Sequence, residues 1–301
     1  MFRYPGGKNK LKKIIIEDIL FYYSEKCKNT SPIYIEPFLG AGSIGIELLS
    51  KNKINSVYFN DYDIGIYCFW MSVLNYPNEL CELIDNFTPS VEKFYNFKEF
   101  LTSINRDNFL HSVLDVGFKK MVIHQISYSG LGVMSGGPLG GREQSSAYKI
   151  NCRWSPSHLK SNIIKTHNLL KKSNIYNNQF YCKDFEEIME LFKEQNVFYY
   201  LDPPYYEKGP ELYQYSFSEL DHYRLANILK NEQSPWILSY DNNDRIRELY
   251  SWAYMKEVKI SCTINTKKSS SVKNELLIVN KNYKYLIDKK PDYNMEINFN
   301  N

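Results

Sequence analysis

The sequence predicts an α/β protein with a doubly wound sheet and a mainly helical insertion. Three observations carry this. A strand–glycine loop–helix–strand unit lies within residues 33–61, strand and helix patterns alternate again from 178 to 279, and residues 75–177 lack that alternation.

Ile33-Tyr34-Ile35 is a short apolar, partly β-branched run that leads into Glu36-Pro37-Phe38-Leu39-Gly40-Ala41-Gly42. A helix is expected from Ser43, a good N-cap, through Leu49, and a second strand at Val57–Phe59 ends at Asn60-Asp61. The insertion shows helical periodicity around Phe94-Phe97-Leu101 and Val113-Phe118-Val122, then a glycine-rich stretch, Gly130–Gly141. After it come a strand at Phe180–Cys182 ending at Asp184, a helix Glu186–Lys193, and a buried strand Val197–Leu201. That strand stops at Asp202-Pro203-Pro204, because proline cannot continue a central ladder. Helix Phe217–Lys230, strand Trp236–Tyr240, helix Asp244–Trp252 and strands Val258–Ile264 and Glu275–Val279 complete the pattern. The expected organisation is a catalytic domain from 1–74 and 178–287, an inserted domain 75–177 and a polar tail 288–301.

Of the 301 residues 43% are hydrophobic, and no apolar run approaches the length of a membrane span. No apolar stretch of secretory type follows the basic residues at the N-terminus, so a cytoplasmic protein is expected. The six cysteines are scattered without a CxxC pair, which argues against a zinc site or a disulfide framework. The five histidines (His111, His124, His158, His167, His222) are isolated and read as structural or surface groups, and no metal is expected.

The net charge of +3 is unevenly spread. Met1–Lys13 holds five basic residues and no acid; Val116–Asn177 holds nine against Glu143 alone. Clustered Lys and Arg release counterions from phosphates, which points to a nucleic acid. The alternative is two solvated faces of a Lys-rich protein.

Two loops carry chemistry. Gly40-Ala41-Gly42, between strand and helix, lets backbone N–H groups approach a ligand, although a plain tight turn explains such a loop equally well. Asp61 follows Gly40 by 21 residues at the end of the next strand, a spacing that suits a carboxylate on ribose hydroxyls. Asp202-Pro203-Pro204-Tyr205 ends a predicted strand, where open sheets bind ligands. An adenine amine is a poor nucleophile, because its lone pair is delocalised into the ring. The Asp202 carboxylate and the Pro203 carbonyl can draw it toward sp³ geometry, the prolines fixing the backbone and Tyr205 offering a stacking surface. A Pro-Pro turn with a capping Asp is the plainer alternative. Tyr4-Pro5-Gly6-Gly7-Lys8 precedes the first helix and is either a turn or a means of presenting Lys8 to a phosphate or ligand.

Together these residues resemble the Dam-type (D12 class, α group) DNA adenine-N6 methyltransferases, over Met1 to about Phe69 and Gln179–Val279. The resemblance implies a Rossmann-like S-adenosylmethionine-dependent methyltransferase fold with a target-recognition insertion. S-adenosylmethionine is the implied cofactor, double-stranded DNA the substrate and base flipping the route. It implies cofactor contacts at Tyr4, Gly7, Lys8, Glu36, Pro37, Phe38, Gly40, Gly42, Ser43, Asp61, Asp184, Phe185 and Asp202. Asp184-Phe185 would hold the adenine moiety, and Asp202, Pro203, Pro204 and Tyr205 would form the catalytic centre. Ser239-Tyr240 and Asn274-Glu275-Leu276-Leu277 resemble later structural motifs. The insertion aligns poorly with the family's target-reading hairpin. From its charge and that of the N-terminus, Arg3, Lys8, Lys119, Lys120, Arg142, Gln144, Lys149 and Arg153 are the nominated DNA contacts. Arg142, Gln144 and Arg153 suit base edges or phosphates equally. A monomer is expected, with a dimer on DNA as the other arrangement. The competing readings are an RNA adenine methyltransferase, a cytosine-N4 enzyme, disfavoured by Asp at the first tetrad position, and a non-catalytic DNA-binding protein with a vestigial pocket.

Overall fold

The computed structural model describes residues 9–27, 31–54, 56–262 and 271–288. In chain order its elements are α1 (Asn9–Glu25), β1 (Ile33–Glu36), α2 (Gly45–Ser50), β2 (Val57–Asn60) and α3 (Ile64–Asn75). Then follow α4 (Pro77–Asp85), α5 (Val91–Ser103), α6 (Val113–Ile126), α7 (Pro156–Lys172), β3 (Phe180–Tyr181) and α8 (Phe185–Leu191). The rest are β4 (Val197–Leu201), α9 (Gly209–Leu212), α10 (Glu219–Asn231), β5 (Trp236–Asp241), α11 (Asp244–Leu249), β6 (Tyr254–Cys262) and β7 (Ser271–Val279).

The strands form one sheet in the order β3-β2-β1-β4-β5-β7-β6. Neighbours from β3 to β5 are parallel, and β7 lies antiparallel between β5 and β6. This is a mostly parallel α/β sheet, as the sequence pattern predicts. The chain leaves β1 toward β2 on one side and returns to its other side at β4, so a switch point lies between β1 and β4.

Period-2 alternation covers both faces of the sheet. Tyr34, Phe198, Tyr200, Ile237 and Leu277 face one apolar core, built from α1, α2, α3 and the helices of the insertion. Ile35, Val197, Tyr199, Leu201, Trp236, Leu238 and Leu276 face a second core beneath α8, α10 and α11. All five residues of β4 are buried, which explains why that strand reads as an unbroken apolar run. Phe94, Leu101, Val116, Val122, Leu159 and Ile163 of the insertion belong to the same core as Tyr34 and Phe198. The helices of 75–177 therefore extend the layer on one face of the sheet.

Two local expectations change. The helix after the glycine loop begins at Gly45, with no side-chain cap at Ile44, and Ser43 does not cap it. The Gly45 N–H donates instead to Glu36 Oε2 (3.0 Å), so a carboxylate from β1 performs the capping. The segment around the glycine-rich stretch forms two single 3₁₀ turns, Tyr128–Gly130 and Gly132–Met134, and one isolated antiparallel bridge, Ser127 to Pro138. The last two strands are longer than their apolar runs, because they pair with each other from Tyr254–Val279 to Cys262–Ser271. The expected end of the first at Ile264, and the polar tail beyond Asp288, lie outside the described residues.

Candidate active site

A cavity of about 700 Å³ opens at the carboxyl ends of β1, β2 and β4, at the switch point. Its wall includes Glu36, Pro37, Phe38, Gly40, Ser43, Asp61, Asp184, Phe185, Asp202 and Pro204. The structure thus brings together residues that the chain separates by well over a hundred positions.

The glycine loop is held by Asp61 and Trp70. Gly40 and Gly42 have φ of 49° and 64°, the left-handed region that favours glycine. The Gly40 N–H donates to Asp61 Oδ2 (2.7 Å), and its carbonyl accepts from Trp70 Nε1 (3.0 Å). A Cβ on Gly42 would sit 2.6 Å from the Trp70 ring, so glycine is needed there for space as well as for φ. Gly42 lies beneath the cavity rather than in its wall. Asp61 Oδ1 accepts from the Asp63 N–H (2.9 Å), and burial with Asp63 beside it pushes the Asp61 carboxyl up to about 7. Burial likewise pushes Glu36 up to about 8, against the hydrogen bonds it accepts from the Tyr34 hydroxyl and the Gly45 amide.

Gly45 is similarly constrained. A Cβ there would lie 2.4 Å from the Phe59 ring and 2.6 Å from Glu36 Oε2. Gly45→Ala is expected to destabilise the fold by about 1–3 kcal/mol through overpacking. It should also weaken ligand binding at the neighbouring loop. Urea unfolding and a binding titration read the two effects, and unchanged values of both would show that the Glu36–Gly45 contact does not shape the loop.

Asn60, buried at the end of β2, joins three loops. Its amide donates to the Pro37 and Lys183 carbonyls (2.9 and 3.0 Å) and accepts from the Lys183 N–H (2.9 Å). That places Asp184-Phe185 opposite the glycine loop. Phe38, Phe185 and Phe217 pack with ring centroids 5.2–5.8 Å apart. Arg224 of α10 lies over the Phe185 ring (4.8 Å) and donates to Asp184 Oδ1 (2.6 Å), Glu186 and Asp221.

On the β4 side, Asp202 Oδ1 accepts from Ser239 Oγ (2.9 Å), and Ser239 Oγ is 3.1 Å from the Tyr200 hydroxyl. Tyr205 lies outside the cavity wall, toward β5 and β7, with its hydroxyl donating to Glu275. His222 is buried against the Tyr240 hydroxyl (2.6 Å), and burial pushes its imidazole down to about 4.

The insertion contributes Lys120, His124, Leu131, Val133 and Met134 to the cavity wall. This corrects one nominated DNA contact. Lys120 is 3% exposed and its ammonium is paired with Asp63 (2.5 Å), so it faces the cavity rather than the surface. Gln144 is engaged within its own loop. Its side chain donates to the Leu139 and Gly141 carbonyls and accepts from the Ile150 N–H, closing the loop instead of presenting an amide outward. Lys119 is paired with Asp115 and lies over Phe100 (4.3 Å). Arg142, Lys149 and Arg153 are exposed, Lys149 donating to the Gln144 carbonyl and Arg142 lying over Tyr95 (5.6 Å). Arg3, Tyr4, Gly7 and Lys8 lie outside the described residues.

Trp70, Asn60, Arg224, Ser239 and the string Tyr213–Phe217 were not singled out as site residues from sequence. The run Tyr213-Gln214-Tyr215-Ser216-Phe217, five residues that all line the cavity, was the available signal. Among the described residues no group of three or more His, Cys, Asp or Glu is placed to hold a metal ion, and no helix is long and apolar enough to cross a membrane.

A glycine loop with an acid at the next strand end, facing an Asp-Pro-Pro-Tyr loop across a switch-point cavity, defines a methyltransferase. The family described as D12 class N6 adenine-specific DNA methyltransferase matches residues 4–264, and the chain belongs to it. It is similar to the type II methyltransferase M.MjaIII of Methanocaldococcus jannaschii, at 25% identity over 305 aligned residues covering 92% of this chain and 97% of that one. It is also similar to the type II methyltransferase M.CviBI of Paramecium bursaria Chlorella virus NC1A, at 34% identity over 68 residues, 23% of this chain and 26% of that one. The protein is therefore an adenine-specific DNA methyltransferase, with DNA as its substrate.

Proposed function

We propose that the methyl donor is S-adenosylmethionine, that it binds in the switch-point cavity, and that the acceptor is an adenine turned out of double-stranded DNA. The observation that carries this is the meeting of Asp202 with the glycine loop, Asp61 and the Phe38–Phe185–Phe217 cage around one cavity. Its volume suits a ligand of that size, and its aromatic walls and acids suit an adenosine.

Gly40 brings backbone close to the donor, Gly42 shapes the turn behind it, Asp61 receives the ribose hydroxyls, and Asp184 with Phe185 holds the adenine. Bound there, the donor supplies an electrophilic methyl group. Asp202 and the Pro203 carbonyl accept hydrogen bonds from the target amine and orient its lone pair, and Tyr205 stacks on the base. Alignment of the two reactants provides much of the acceleration, since well-oriented pairs reach effective molarities on the order of 10⁵–10⁸ M. The insertion reads the target. Its exposed Arg142, Lys149 and Arg153, with Arg3 and Lys8 of the N-terminal segment, meet the phosphates or base edges. A monomer acting in the cytoplasm is the simplest setting for this chemistry.

Incubation with radiolabelled S-adenosylmethionine and duplex DNA, single-stranded DNA or RNA tests the reading. Label is expected in duplex adenine, and label confined to RNA, or in no polymer, overturns it. The acid on the ribose adds a pH dependence. Asp61 titrates near 7, and only its ionised form accepts from both hydroxyls. Affinity for S-adenosylhomocysteine should therefore rise roughly fivefold to tenfold between pH 6 and 8 and then level. A flat calorimetric titration across that range would remove Asp61 from the site.

A further inference from the structure

We infer that Glu275 is a positioning residue for the stacking tyrosine of the catalytic loop, an inference that rests on the methyl-transfer reading above. Glu275 lies on β7, is 7% exposed, and its Oε2 accepts the hydroxyl of Tyr205. The β5–β7 register sets it directly across from Asp241.

Two acids facing each other across an antiparallel ladder destabilise a sheet unless each is occupied by a donor. Here both grip the same short loop. Asp241 Oδ1 and Oδ2 accept from the Tyr206 and Glu207 amides (3.1 and 3.2 Å), while Glu275 takes the Tyr205 side chain. Asp241 thus fixes the backbone just after Asp202-Pro203-Pro204, and Glu275 fixes the ring angle of the tyrosine. The Tyr240 ring, at 6.2 Å and 37°, supports that ring from one side. A phenol held at its far end keeps its π-face at a set height above the proline-bounded floor of the site. An extruded adenine stacked on it then arrives with its amine at Asp202. Without the anchor, the tilt of the ring is less tightly set and the base is held over a wider range of heights.

The test combines Glu275→Ala, Glu275→Gln and Tyr205→Phe with the double variant Tyr205→Phe/Glu275→Ala, all in the full chain. Glu275→Ala should lower kcat on duplex DNA about 10–100-fold, the cost of a misplacement of about 1 Å. KM for the methyl donor should stay near its wild-type value. Glu275→Gln should recover most of that loss, because an amide oxygen still accepts the phenol. Tyr205→Phe should match Glu275→Ala, and the double variant should be no worse than either. Thermal unfolding of the same set reads the contact without turnover, and the shifts should again be non-additive. Losses that multiply in the double variant, or a folded Glu275→Ala with wild-type kcat, overturn the assignment. A wild-type chain that transfers no methyl group to DNA overturns the methyl-transfer reading instead. The unfolding cycle then decides whether the Tyr205–Glu275 contact exists.

Discussion

Asp202→Ala should lower single-turnover methyl transfer about 10²–10³-fold, the range seen when one preorganised polar contact to a reacting centre is removed. Affinity for the methyl donor should change little. The carboxylate is set by a chain of hydroxyls, Tyr200 to Ser239 to Asp202, on the carboxyl ends of β4 and β5. Most of the groups assigned to the donor lie on other loops: Gly40 after β1, Asp61 after β2 and Asp184 after β3. Removing Asp202 therefore strips the acceptor that orients the target amine and leaves the donor's contacts in place. Asp202→Asn keeps one acceptor oxygen and should fall between alanine and wild type. Ser239→Ala, which removes one donor to the carboxylate, should cost less than either. Rapid-quench measurement with donor and DNA saturating isolates the chemical step from product release. An Asp202→Ala protein that transfers at the wild-type rate would remove this residue from the chemistry.

The features legible in sequence are local ones. The glycine loop, the acid 21 residues beyond it and the Asp-Pro-Pro-Tyr loop each depend on a few neighbouring residues and on where a strand stops. The strands themselves were legible because their runs are aromatic and β-branched. Hidden were the contacts that close over long stretches of chain. Glu36 capping Gly45 replaces the serine cap that local rules favour. Asn60 reaches Lys183 across 123 residues, and Tyr205 reaches Glu275 across 70. An apolar run shows that a strand exists but not its register, so nothing local placed Glu275 opposite Asp241. Charge counting failed for a related reason. Lys119 and Lys120 are adjacent in sequence yet point about 100° apart on α6. One lies over Phe100 beside Asp115, and the other is buried against Asp63.

That buried pair carries the second large effect. Lys120→Met should destabilise the protein by about 3–5 kcal/mol, because it leaves the carboxylate of Asp63 buried without its counter-charge. Side-chain exposures of 3% for Lys120 and 16% for Asp63 place the pair in the regime where desolvation dominates. Asp63 also caps α3, accepting from the Gly65 N–H (2.8 Å) and Ile66 N–H (3.3 Å). Its removal by alanine would therefore confuse two losses. Asparagine is a good N-cap and carries no charge. Lys120→Met/Asp63→Asn should accordingly recover most of the stability that Lys120→Met loses, and urea unfolding of wild type, the two single variants and the double variant measures the coupling. A Lys120→Met chain as stable as wild type would mean that the pair is solvated. The pair also joins the two parts of the molecule. Lys120 comes from the insertion, Asp63 follows the strand end that bears Asp61, and Lys120 Nζ also reaches Gln214 Oε1 (3.4 Å) on the loop beyond Tyr205.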